Sequence, residues 1–342
     1  AVHRLPLARR GLDSLDWPLI LEALAELAAT GAGRRRCEAL PWLESAEAAR
    51  AALAELAEML ALREAGRGPS LGGVEDVGSL LGAARKGEIL EGPELLRIAH
   101  SLEALQRIYG HLLDEVELAP RLQHRAAAIR PMPELASWLL VSFDSRGELS
   151  TSAFPQLSAL RSRKGVLHGR IRETLEGLVG SERFAENLQD DFLGLRNDRY
   201  VLPVRAQAKN AGLGIVHDTS GSGQTVFVEP WEVVELNNEL KLADAELRQE
   251  ERRILRDLSE RVAAAGPEIR RGLEAAADLD LVLAKALLAD RMEAVVPTVD
   301  DAPRFRLLAA RHPVLVLRGL DVVANDLVLG APQRAMILSG PN

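Results

Sequence analysis

Cysteine is nearly absent from this chain: Cys37 stands alone among 342 residues. No internal disulfide can form, and a reducing compartment is expected. Aromatic residues make up only 4 %, so the core must be built from aliphatic side chains. No apolar run approaches the ~20 residues needed to span a bilayer, and no basic start with an apolar follow-on marks a leader. A soluble, cytoplasmic protein without membrane contact is expected. Positive charge is not in excess, with 42 Lys and Arg against 50 Asp and Glu, net −8. That excludes an overall cationic coat and leaves room for local basic patches. Seven scattered histidines and one cysteine show no ligand spacing, so no metal site is expected.

What is present is Ala, Leu, Glu and Arg, the composition of long helices. Asp16-Trp17-Pro18 predicts a capped helix start, as does Ser45 before "AEAARAALAELAEML". Pro93 opens a further helix, Pro131 and Pro133 mark a boundary before "ELASWLLVSF", and Asp144-Ser145-Arg146-Gly147 reads as a turn. From Pro155 to Gln189, Leu157, Leu160, Leu167, Ile171, Leu175 and Leu178 step at helical spacing. From Trp231 to Ala265, Val233, Leu236, Leu240, Leu247, Ile254, Leu258 and Val262 do the same. Each helix is on the order of 50 Å long at ~1.5 Å per residue. Their length favours an antiparallel coiled arm over ordinary bundle helices. Gly266-Pro267 is expected to separate the second from a later helical block.

Between them "RYVLPVRA", "LGIVHD" and "QTVFVE" are β-branched and separated by turn residues, which predicts a small antiparallel sheet. Pro230 starts the returning helix. After Pro297, "RFRLLAARHPVLVL", "VVANDLVL" and "RAMILSG" read as strands.

Several motifs invite chemistry and do not support it. His217, Asp218 and Ser220 lie along one strand and its turn, where neighbours point to opposite faces, so a hydrogen-bonded triad does not form. Gly212 and Gly214 lack the third glycine and the helix of a dinucleotide fingerprint. Phe184 and Phe227 each begin a Phe-x-Glu triplet, and packing accounts for both. No catalytic residue is expected.

Charge is the better lead. Arg161, Arg163, Lys164, Arg170 and Arg172 gather on the outgoing helix with no acid until Glu173. Arg196, Arg199, Arg205 and Lys209 follow in the strand region, with Ser220 and Ser222 in a flexible turn. Such strands and loops can lie on phosphates without reading sequence. The candidate nucleic-acid-binding set is Arg161, Arg163, Lys164, Arg170, Arg196, Arg199, Arg205, Lys209, Ser220 and Ser222. A solvated charged face is the competing reading.

"ARHPVL", "VVAND" and "ILSGPN" together resemble the entry to the ATPase domain of the MutS family. "LRNDRYVLPVRA", "GIVHDTSGSGQTVFVEP" and "VVELNNEL" are similar to its second bacterial type, as are "SFDSRGELSTSAFPQLSALR" and "KGEILEGPELL". The resemblance implies a mainly α fold. Residues 1–153 are a helical core, 154–190 an outgoing lever helix, 191–230 a β clamp and 231–265 the returning helix. Residues 266–300 return to the core, and 301–342 begin an α/β ATPase domain. It also implies a parent protein that uses ATP and Mg²⁺, acts as an endonuclease and suppresses recombination. Its partners are duplex or branched DNA and a second copy of itself. The rival is a dimerisation and ribosome-docking module. Val322, Val323, Asn325, Gly340, Pro341 and Asn342 fall at nucleotide-binding positions. Val323 stands where mismatch-repair relatives carry an adenine-stacking aromatic. Gly340-Pro341-Asn342 supplies only the first glycine of a phosphate loop and not its lysine. No ATP hydrolysis and no bound cofactor are therefore expected of this chain.

Overall fold

The structure is a computed structural model that describes residues 15–190, 192–302, 304–330 and 335–337. It is mainly α. Its helices are α1 (Trp17–Glu26), α2 (Gly31–Glu38), α3 (Ala46–Glu64), α4 (Gly78–Arg85), α5 (Gly92–Leu113), α6 (Pro120–Ala126) and α7 (Pro133–Ser142). Then come α8 (Pro155–Val179), the short α9 (Glu182–Ala185) and, after a four-stranded sheet, α10 (Trp231–Met292). Strand β5 (Phe305–Ala310), helix α11 (Pro313–Leu317) and strand β6 (Asn325–Leu329) follow. The chain divides into two units: residues 1–88, 94–140 and 260–342 form the first, and 89–93 with 141–259 the second.

The first unit is helical. Met59, Leu62, Ile108, Leu112, Leu122 and Leu279 centre its aliphatic core. Ser45 caps α3 through a 3.0 Å bond from the Ala48 amide. Asp16 does not cap α1: it adopts φ 55° and makes no side-chain cap bond. The decisive tie is one the sequence hides. Asp280 is fully buried and accepts from the Ala29 amide at 2.9 Å, the Thr30 amide at 2.8 Å and the Thr30 hydroxyl at 2.7 Å. Thr30 in turn caps α2 by accepting from the Gly33 amide. Cys37 lies close by and is buried. Burial, with the nearby Asp280 charge adding to it, pushes its thiol up to about 11, so it stays protonated and inert at neutral pH.

Three expectations are corrected here. The helix does not break at Gly266-Pro267, because α10 continues through Pro267. An interior proline costs about 3 kcal/mol, and the buried Val262, Ile269, Ala276 and Leu279 on its inward face offset that. "RFRLLAARHPVLVL" is not one strand: β5 stops at Ala310 and Pro313 opens α11. "VVANDLVL" forms a strand only from Asn325. Residues 335–337 carry no regular structure, and the rest of "RAMILSG" lies outside the described residues.

The second unit pairs α8 with the first part of α10. Leu167, Ile171 and Leu175 of α8 pack with Val233, Leu240 and Ala243. Ion pairs Arg161–Glu251 and Arg163–Glu246 step in opposite directions along the two helices, so the pair is antiparallel. Helix α8 ends at Val179 rather than near Gln189. Gly177 and Gly180 weaken that end, and the Ser181 hydroxyl binds the Leu178 carbonyl at 2.7 Å. Phe184, in the following short turn of helix, is fully buried in the same core. The Asp144 turn forms as read: its carboxylate accepts from the Arg146 and Glu148 amides at 2.9 and 3.0 Å.

Candidate nucleic-acid interface

The sheet of the second unit has the order β1-β2-β4-β3, all antiparallel. Its strands are β1 (Gly194–Arg196), β2 (Arg199–Arg205), β3 (Gly214–Thr219) and β4 (Thr225–Pro230). Asn197 and Asp198, at φ 51° and 60°, join β1 to β2 by a two-residue turn of the type that matches strand twist. The β3–β4 turn is closed by the Gly223 amide on the Ser220 carbonyl at 2.8 Å, with Gly223 at φ +68°. Gly214 lies so close to β4 that a Cβ there would overlap the Glu229 carbonyl.

Alternation divides this sheet into two faces. Leu202, Val204, Val226 and Val228 face the helices as core. The other face carries Arg196, Arg199, Arg205, Phe227, Glu229 and the β3 polar residues. Glu229 is fully buried. It accepts from Arg199 Nη1 at 2.6 Å, His217 Nε2 at 2.5 Å and Asn237 Nδ2 at 2.8 Å. Asn237 also brackets Tyr200, accepting from its amide at 3.0 Å and donating to its carbonyl at 3.1 Å. The network therefore fastens β2, β3 and β4 to α10. Tyr200 extends it by bonding His168 of α8 at 2.8 Å. Burial, with help from Lys164 and Arg172, pushes the His168 imidazole down, which keeps it neutral at pH 7.

These contacts change the reading of the candidate cations. Arg199 is engaged internally: its guanidinium is held between Glu229 and Asn238. Arg196 lies 3.9 Å over the Phe227 ring and pairs with Asp218 at 3.3 Å. On α8, Arg161 pairs with Glu251 at 3.0 Å, Arg163 with Glu246 at 2.9 Å, and Lys164 with Asp244. Periodicity shows which face a charge occupies, but not which acids stand opposite it on a helix 80 residues away.

Arg170, Arg205 and Lys209 are exposed, and no acid stands within ion-pair distance of them among the described residues. Among the described residues the Arg205 guanidinium makes one long bond, 3.5 Å, to the Glu186 carbonyl. It stands opposite Thr225 in the β2–β4 ladder. Ser220 accepts from the Thr225 amide at 3.1 Å, and its hydroxyl lies 3.3 Å from that of Ser222. Lys209 occupies the short 3-10 turn Ala206–Asn210 that leaves β2. The structure thus gathers Arg205, Lys209, Ser220 and Ser222 at one end of the sheet. Arg170 lies apart on α8.

A bulge between Val216 and Asp218 interrupts the alternation, so His217 and Asp218 share the sheet face of Glu229 and Phe227 rather than opposite ones. Their partners still differ, His217 bonding Glu229 and Asp218 pairing with Arg196, and no triad is assembled. Phe227 is buried in its Phe-x-Glu triplet. Glu229 and Asn237 carry the site's architecture and escaped sequence reasoning. The one signal for them was an acid ending the apolar strand "TVFVE". Of the nucleotide positions, Gly340, Pro341 and Asn342 lie outside the described residues. Val323 is 82 % exposed, and Asn325 bonds the Val323 carbonyl at 3.1 Å. Val322 is partly buried, and Val323 and Asn325 are exposed.

The chain is 41 % identical over 338 residues to an endonuclease MutS2 of Anaeromyxobacter sp. strain Fw109-5, covering 96 % of this chain. It is 37 % identical over 335 residues to the protein of that name from Geobacillus thermodenitrificans, covering 97 %. Over this span the chain belongs to the MutS2 family. A third MutS2 endonuclease, from Thermomicrobium roseum, is 39 % identical over 80 % of the chain. The chain spans about 42 % of the length of the first two relatives. No family model matches it. Among the described residues no helix is long and apolar enough to cross a membrane, and no group of three or more potential metal ligands occurs.

Proposed function

We propose that this MutS2 chain holds duplex or branched DNA by its phosphate backbone, with the small sheet acting as a clamp at the end of a two-helix lever. The observation that carries the reading is the unpaired, exposed pair Arg205 and Lys209 beside the Ser220–Gly223 turn. Guanidinium, ammonium, hydroxyl and turn amides are the donors that bind phosphate without reading bases. The buried Glu229 network beneath gives them a rigid base. In a complete MutS2 protein this grip would serve an ATP-dependent, endonucleolytic dimer that suppresses homologous recombination in the cytoplasm. ATP, Mg²⁺ and the nuclease chemistry are assigned to the parts of the relatives that this chain does not span.

The test is fluorescence anisotropy of the 342-residue chain with a labelled four-way junction and a linear duplex of equal length. Saturable binding at low salt, with the junction preferred, is expected. Retention on ribosomes with no affinity for either DNA would replace this reading by the docking alternative.

A further inference from the structure

We propose a second phosphodiester-binding groove, on the side of the helix pair and away from the sheet, built around Arg252 and Arg256 of α10. It concerns which surface engages DNA and so rests on the reading above. The charge pattern carries it. Between residues 244 and 256, α10 presents the acids Asp244, Glu246, Glu250 and Glu251 and the bases Arg248, Arg252, Arg253 and Arg256. Within one helix these would largely cancel. Helix α8 removes the cancellation, because Lys164, Arg163 and Arg161 take Asp244, Glu246 and Glu251. Arg253 holds the remaining acid, Glu250, through two bonds of 2.9 and 2.7 Å. Arg248 shares Asp244 with Lys164. Arg252 and Arg256 are exposed and have no acid within ion-pair distance among the described residues.

These two guanidiniums face a concave surface. Gln156 and Leu160 of α8, with Gln249, Arg252, Arg253 and Arg256 of α10, line a groove of about 880 Å³. Gln156 also donates to Glu250 at 3.2 Å, so the carboxylate that fixes Arg253 is itself fixed. Residues four apart on a helix lie on one face, with ~6 Å of rise between them. Two flexible guanidiniums at that spacing can each engage a phosphate of one strand, and the glutamine amides supply neutral donors beside them. A phosphate backbone fits this groove better than a carboxylate-bearing peptide. The occupant needs closely repeated anions, and the two acids that also line the wall, Glu246 and Glu250, are already paired with Arg163 and Arg253.

The experiment compares the 342-residue chain with R252Q/R256Q, R252K/R256K and R205Q/K209Q, measuring duplex affinity from 50 to 200 mM salt. R252Q/R256Q should bind roughly tenfold more weakly and lose about 2 from the slope of log K against log salt, near 0.9 for each phosphate no longer engaged. R252K/R256K should keep the slope. Circular dichroism and melting should show that all three variants fold. Unchanged affinity and slope in R252Q/R256Q, with R205Q/K209Q weakened, would remove the groove and leave the sheet reading standing. Absence of any binding by the wild type would remove both. Competition by poly-glutamate as strong as by DNA would overturn the assignment to phosphodiesters.

Discussion

Asp280 in the helical unit and Glu229 in the sheet unit are both fully buried carboxylates, and they are neutralised in opposite ways. Asp280 accepts from two backbone amides and a hydroxyl. Its donors are neutral, and two of them belong to the main chain. Glu229 accepts from an arginine, a histidine and an asparagine side chain. The first arrangement staples a helix start to α10 by backbone. The second engages cations, so Arg199, prominent in the sequence, is held by Glu229 and Asn238. Whether a basic residue is an interface residue depends on which acids the fold has placed opposite it.

The largest effect expected is from E229A, which deprives the partly buried Arg199 of its carboxylate and leaves Asn238 as its remaining acceptor. Breaking a buried pair from one side costs about 3–5 kcal/mol, read as a fall in denaturation midpoint. D280A should cost a similar amount, at about 1–3 kcal/mol for each buried donor left unpaired. The two then separate on rescue. Adding R199M to E229A should recover part of the loss, because the orphaned charge is removed as well. No side-chain truncation can remove the Ala29 and Thr30 amides, so D280A should have no comparable partner. Equal rescue at both sites, or at neither, would break the contrast.

A pH series probes the Asp280 neighbourhood more gently. The folded Cys37 thiol sits at about 11, above the ~8.5 of a free thiol. Its contribution is fully present below the unfolded value and is lost as pH rises through the folded one. Between about pH 8.5 and 11 the wild type should therefore lose stability relative to C37A, by roughly 2–3 kcal/mol. Parallel stability curves for the two proteins would contradict the burial of the thiol. The smallest effect belongs to R163A. Arg163 and Glu246 are both about half exposed, and such pairs contribute ~0–1 kcal/mol.

Much of the fold was legible because local rules and packing agree there. Ser45 caps its helix, the Asp144 turn closes on its own amides, and the three β-branched runs pair as a sheet. Pro267 was misleading because a local penalty is outweighed by buried residues on both sides of it. "PVLVL" has strand composition, yet proline pre-sets the first turn of α11. The candidate site was legible only as a region. The ties that sort its cations into engaged and free ones reach 80 to 90 residues along the chain between the helices, and 12 to 39 around Glu229 and Arg199. No spacing rule in the sequence encodes those meetings.

The most direct test of the central claim is the salt dependence of four-way-junction affinity for the wild-type chain and R205Q/K209Q. Cations without an internal partner should be the ones that displace counterions. R205Q/K209Q should bind more weakly at low salt and lose about 2 from the log–log slope, with its melting temperature unchanged. A wild-type slope that R205Q/K209Q leaves intact would contradict the claim.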